Sequence, residues 1–167
     1  MMSAMVLGLP IATFKLIYVI VSLFAMFAGM MVVRDMRKMR PLGIWNPLFF
    51  ASTIVTAGAG LLFPPNTFGP PQDVCWMLLG VLALGLLALY ATRLNGLWRW
   101  IYAITIIAGL YLNVFMGISQ AFMRIAVLHR YAPTGNEPPL IAAQVLVLLG
   151  FLIVGSIAAS RFRSTGP

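Results

Sequence analysis

The sequence predicts an all-α integral membrane protein, a bundle of five transmembrane helices with the N-terminus outside and the C-terminus cytoplasmic. Three observations predict it. Of the 167 residues, 62% are hydrophobic and 8% are charged. A soluble domain carries about 25% charged residues, so this chain cannot cover a water-facing surface. The apolar residues fall in runs near the ~20 residues that a helix needs to cross a bilayer. The basic residues flank those runs instead of interrupting them, as membrane topology requires. The runs take up nearly all of residues 1–167, so the chain reads as a single membrane domain.

The first span is 16–33, LIYVIVSLFAMFAGMMVV. Residues 1–14 before it are apolar but broken by Pro10, and either lie at the surface or extend the first helix. No basic segment precedes a short apolar one and no small-residue cleavage site follows, so the first helix reads as uncleaved. A basic loop, 34–46, leads to the second span, 47–63, which is short but adequate with its flanks. PPNTFGPPQD is a turn, because its four prolines and one glycine cannot continue a helix. The remaining spans are 74–91, 100–123 and 140–160.

Charge sets the orientation. Arg34, Arg37, Lys38, Arg40, Arg93, Arg99, Arg161 and Arg163 fall in the first and third connections and the C-terminal tail. Lys15, Arg124 and Arg130 fall on the other side. This excess places the first group in the cytoplasm. An odd number of crossings separates the two termini, in agreement with that tally. Trp45, Trp98 and Trp100 then mark the inner boundary and Trp76 the outer one, as an aromatic belt does. A re-entrant second span would reverse every later helix and weaken the bias.

Several function classes are excluded. The net charge of +8 sits at helix ends and not in one continuous patch, so no nucleic-acid partner is expected. The single cysteine, Cys75, excludes an intramolecular disulfide and a Cys-only metal cage. Between the span boundaries there is no Asp, Glu, Lys, Arg or His. Pumps and proton-coupled carriers place such groups inside the membrane, so neither is expected. The one histidine, His129, cannot supply bis-histidine haem ligation. No nucleophile–base pair shares one side of the bilayer, so no enzyme, metal or cofactor is expected.

Lipid tails are as apolar as leucine, so membrane helices associate through small residues and interhelical hydrogen bonds. Ala25 and Gly29 in the first span, and Ser52, Thr56 and Gly60 in the second, recur every four residues and serve helix packing. The stretch from 109 onward, GLYLNVFMGISQAFMR, adds a different feature. At 100° per residue its two amides, Asn113 and Gln120, lie within about 20° of one direction and about 10 Å apart along the helix. Gln144, early in the fifth span, belongs at a depth comparable to Gln120. Asn113, Gln120 and Gln144 therefore form a polar cluster in the outer half, which either binds a ligand or joins helices. The cluster lies beneath an outer loop that holds Arg124, His129, Arg130 and Glu137 and includes HRYAPTGNEPPL. Pro138 and Pro139 suit a first helical turn, and Glu137 suits the positive end of that helix. The spacing of His129, Glu137 and Asp73 demands no acid–base role.

The motifs LYLNVFMGISQAF and APTGNEPPLIAAQ resemble a family of small multi-pass bacterial inner-membrane proteins of unassigned function. Its members share an LYLNVFV-like stretch, a Gln-Ala-Phe and an APTQSEPPF-like loop before a helix with a glutamine. The likeness covers most of residues 14–160. It carries over Asn113, Gln120, Pro133, Thr134, Glu137, Pro138 and Gln144, and departs at Gly135, Asn136 and Leu140. It implies the membrane class and a bacterial inner membrane, and no activity. Two functions are then expected to compete. One is an accessory or structural subunit, bound to other membrane subunits or to copies of itself through the small-residue faces. The other is binding or transport of a lipid, quinone or other amphiphile through the amide cluster.

Overall fold

The structure is a computed structural model that describes residues 5–6, 9–38, 40, 43–62, 72–132 and 137–164. Most of the Pro-rich turn, residues 133–136 of the next long loop, and the side chains of Arg124 and Arg163 lie outside the described residues. A two-residue antiparallel pairing, Met5–Val6 with Leu9–Pro10, comes first. Helices follow: α1 (Ile11–Arg37), α2 (Trp45–Leu61), α3 (Gln72–Leu86), α4 (Trp98–Arg124), the short α5 (Ala126–His129) and α6 (Pro138–Ser164). A π-turn, Leu87–Ala91, prolongs α3.

Four stretches are long and apolar enough to cross a membrane: Ala12–Arg37, Gln72–Ala91, Trp98–Phe122 and Pro138–Arg161. They make the chain a multi-pass membrane protein. The second expected span differs. Its helix begins at Trp45, places Pro47 in the first turn where a missing N–H leaves no bond unmade, and ends at Leu61. Its 17 residues cover about 25 Å, less than a hydrocarbon core about 30 Å thick. The first expected loop also shortens, because Arg34 to Arg37 form the last turn of α1, where cations meet the negative helix end.

Cross-helix neighbours fix the directions. A Cβ at Gly117 would fall on the methyl of Met26, and one at Gly29 would lie 2.7 Å from Leu110, so α1 runs antiparallel to α4. Asn46 meets Tyr102 and Thr53 meets Asn113, so α2 runs parallel to α4. Gly109 faces Leu82 and Gly85 faces Thr105, which makes α3 antiparallel to α4. α6 is antiparallel to α4 as well, since Gly155 faces Ile107 while Gln144 reaches Ser119. Helices α1 to α4 thus form an up-and-down four-helix unit, and α6 packs in the outer groove between α1 and α4. The start of α1 and the end of α6 lie at opposite ends of the bundle.

The core is built by Ala28, Val32 and Met36 of α1, Phe49 and Phe50 of α2, Leu78 and Leu82 of α3, and Tyr102, Ile106 and Leu110 of α4. Half of the most apolar stretch of α4 is buried inside the protein, against 11% for α6. α4 is the central helix and α6 the peripheral one. One end of the bundle carries Arg34, Arg37, Arg93, Arg99 and Arg161; it is the Arg34 end below. The other carries Asp73, α5 and Glu137 and is the Glu137 end.

Candidate functional site

Asn113 is fully buried at mid-depth on α4, facing α2. Its Nδ2 donates to the Gly109 carbonyl (3.2 Å) and to Thr53 Oγ1 (3.4 Å). Gln144 enters from α6: its Nε2 donates to Ser119 Oγ (3.0 Å) and to the Phe115 carbonyl (3.2 Å). Ser119 Oγ in turn donates to Phe115 O (3.0 Å). Residues 115 and 119 lie roughly 120–160° round the helix from Asn113. Gln144 therefore reaches the depth of Gln120 on a different face of α4. Asn113 joins α4 to α2, Gln144 joins α6 to α4, and the three amides do not share one pocket wall.

The orientation of two amides follows from their partners. Backbone carbonyls only accept, so nitrogen must face Gly109 O and Phe115 O, and the amide oxygens point elsewhere. Asn113 Oδ1, Gln120 Oε1 and Gln144 Oε1 are buried and accept no hydrogen bond from the described residues. A water or hydroxyl group fits them, whereas a quinone or ester carbonyl brings another acceptor.

Uncharged polar groups continue along the α2–α4 diagonal. Tyr102 donates its hydroxyl to Asn46 Oδ1, and Thr105 Oγ1 donates to Tyr102 O (2.8 Å). Ala25, Gly29, Ser52, Thr56 and Gly60 are all buried within the chain. The Ser52 and Thr56 hydroxyls turn back on their own helix, donating to Leu48 O (2.6 Å) and Ser52 O (2.7 Å). At the Glu137 end, His129 is exposed on α5, and Glu137 is half-buried, its carbonyl accepting from the N–H groups of Leu140 and Ile141 at the start of α6. Among the described residues no three of His, Cys, Asp and Glu gather as a metal site would require.

Two grooves that flank α6 were not legible in the sequence. One, of about 480 Å³, lies between α4 and α6 and is lined by Trp100, Ile104, Ala108, Phe151, Leu152 and Ser156 among others. The second, also about 480 Å³, lies between α1, α4 and α6. Its apolar floor includes Met30, Val114, Val147 and Gly150, and Arg34 and Arg37 stand at one end. Both volumes fall in the range of roughly 300–1,000 Å³ typical of small-molecule sites. Such grooves depend on which helices meet, which local periodicity does not reveal. Comparison of the chain with protein-family models, with curated proteins and with solved structures finds no match in any of the three.

Proposed function

We propose that this chain is a non-catalytic bacterial inner-membrane protein with five crossings and its N-terminus outside, whose grooves beside α6 hold a bilayer amphiphile. The observation that carries this reading is the seating of α6: it covers α1 and α4 incompletely and leaves two apolar grooves of about 480 Å³ each. The charge excess at the Arg34 end supports the orientation, and the motif resemblance supports the bacterial inner membrane. The amides Asn113 and Gln144 act in this reading as helix joints, since their N–H groups are taken by Thr53, Ser119 and backbone carbonyls.

A second reading, the accessory subunit, is favoured by the bare face of α6, where Leu146, Leu149 and Ile153 are half or more exposed. The small residues expected to serve that role are occupied inside the bundle, so a partner subunit or a second copy would meet α6. Native mass spectrometry after extraction in a mild detergent separates the two. Amphiphile binding predicts that a defined lipid-sized species stays with the protein and is lost from Gly150→Phe. A stoichiometric protein partner with no retained amphiphile would give the role to the subunit reading.

A further inference from the structure

We infer that the groove between α1, α4 and α6 binds an anionic phospholipid, with its phosphate at Arg37 and Arg34 and an acyl chain along the apolar floor. The inference rests on the amphiphile reading above and names its ligand class. Met30, Val33, Arg34 and Arg37 line the groove at i, i+3, i+4 and i+7, one face of α1. That face passes from apolar to cationic over about 10 Å at 1.5 Å per residue, the sequence of chemistry along a lipid from acyl chain to headgroup. The floor stays open because α6 supplies Gly150, where an added Cβ would meet nothing within 4 Å.

Charge complementarity selects the headgroup. The Arg37 guanidinium has no hydrogen-bond or ion-pair partner among the described residues. Arg34 is steadied by Asp35 at 3.3 Å, and Arg161 of α6 reaches over the rim to donate to the Arg37 carbonyl at 3.3 Å. Among the described residues, none that lines the groove is acidic. A guanidinium at the edge of an apolar slot matches phosphate oxygens bidentately and gains from the low local dielectric. Basic pockets between transmembrane helices recognise anionic headgroups in this way. Among the described residues, none that lines the groove between α4 and α6 is charged, and that groove ends in Trp100, Ser156 and Ser160, so it provides an internal contrast.

The test is a lipid competition on the full-length protein in detergent, read by native mass spectrometry with phosphatidylglycerol and phosphatidylcholine of matched chains. A cationic side chain near the headgroup is worth about five-fold, so the wild type is expected to favour phosphatidylglycerol by roughly five- to thirty-fold. Arg37→Gln should cut that preference about five-fold, and Arg37→Lys should restore part of it. Lys38→Gln, which removes the same charge one residue outside the groove lining, should leave it intact. Gly150→Phe should lose bound lipid of both kinds. Equal retention of the two lipids by the wild type overturns the headgroup assignment and leaves the amphiphile reading standing. Retention of neither lipid overturns the amphiphile reading itself. Equal effects of Lys38→Gln and Arg37→Gln mean diffuse surface attraction and overturn the site.

Discussion

Tyr102 and Asn113 lie on one face of α4, both buried and both bonded to α2, yet they should respond differently to loss of their polar atoms. Tyr102→Phe strands the Asn46 amide oxygen in the core, and an unpaired buried acceptor costs about 1–3 kcal/mol. Asn113→Leu removes a long bond to Thr53 that is worth about 0.6 kcal/mol by the average for membrane helices. It also removes an amide oxygen that meets no donor among the described residues, so the net change should stay within about 1 kcal/mol. Thermal unfolding in detergent should therefore rank Tyr102→Phe as the more damaging variant, and the reverse order would mean that Asn113 Oδ1 is firmly bound by something other than this chain. Asn113 was legible in the sequence because an amide inside an apolar run has few reasons to be there. Its partner Thr53 was not legible, because pairing across a bundle diagonal leaves no local pattern. Asn46, the last residue of the expected basic loop, is a core residue of α2, 5% exposed, since the helix starts earlier than the apolar run does.

The helices themselves follow from their apolar runs, and the differences arise where backbone geometry departs from simple periodicity. The expected third span ends in a π-turn, with Thr92 N–H reaching Leu87 O at 3.3 Å, and the following turn sets Arg93, Leu94 and Gly96 at φ of 50°, 58° and 55°. Glycine announces such a conformation; arginine and leucine do not. α6 has a subtler feature, since its two central glycines are not equivalent. A Cβ at Gly155 would lie 2.7 Å from Ile107, whereas one at Gly150 would meet nothing within 4 Å. Gly155 thus permits the close approach of α6 to α4, and Gly150 only leaves the groove open. Gly155→Leu should cost about 1–3 kcal/mol by overpacking and raise hydrogen exchange along α6. Gly150→Leu should change neither by a comparable amount. Equal damage from both would show that α6 is not held by this contact.

At the scale of the whole molecule, the length of α2 and its packing act in opposite directions. The helix is about 5 Å short of the hydrocarbon thickness, and mismatch costs fractions of a kcal/mol per Å through local thinning of the bilayer. Against that stand eight buried residues of its 17, which fasten α2 to the rest of the bundle from Asn46 to Gly60. Packing of that extent outweighs a mismatch of about 1–3 kcal/mol, so α2 should span the membrane with the bilayer pinched at its ends. The chain offers a clean assay. Its single cysteine, Cys75, is fully buried, and the wild type should not react with a maleimide until denatured. With Cys75 replaced by Ala, Leu62→Cys at the far end of α2 and Lys38→Cys just after α1 report the two sides. Five crossings with the N-terminus outside predict that an impermeant maleimide added to intact spheroplasts labels Leu62→Cys, while Lys38→Cys reacts only after permeabilisation. If both react only after permeabilisation, α2 is re-entrant, the positive-inside count for α3 to α6 reverses, and Arg93 and Arg99 face the outside. The bundle places those two arginines at the same end as Arg34 and Arg37, and that shared end is the physical reason to expect the first result.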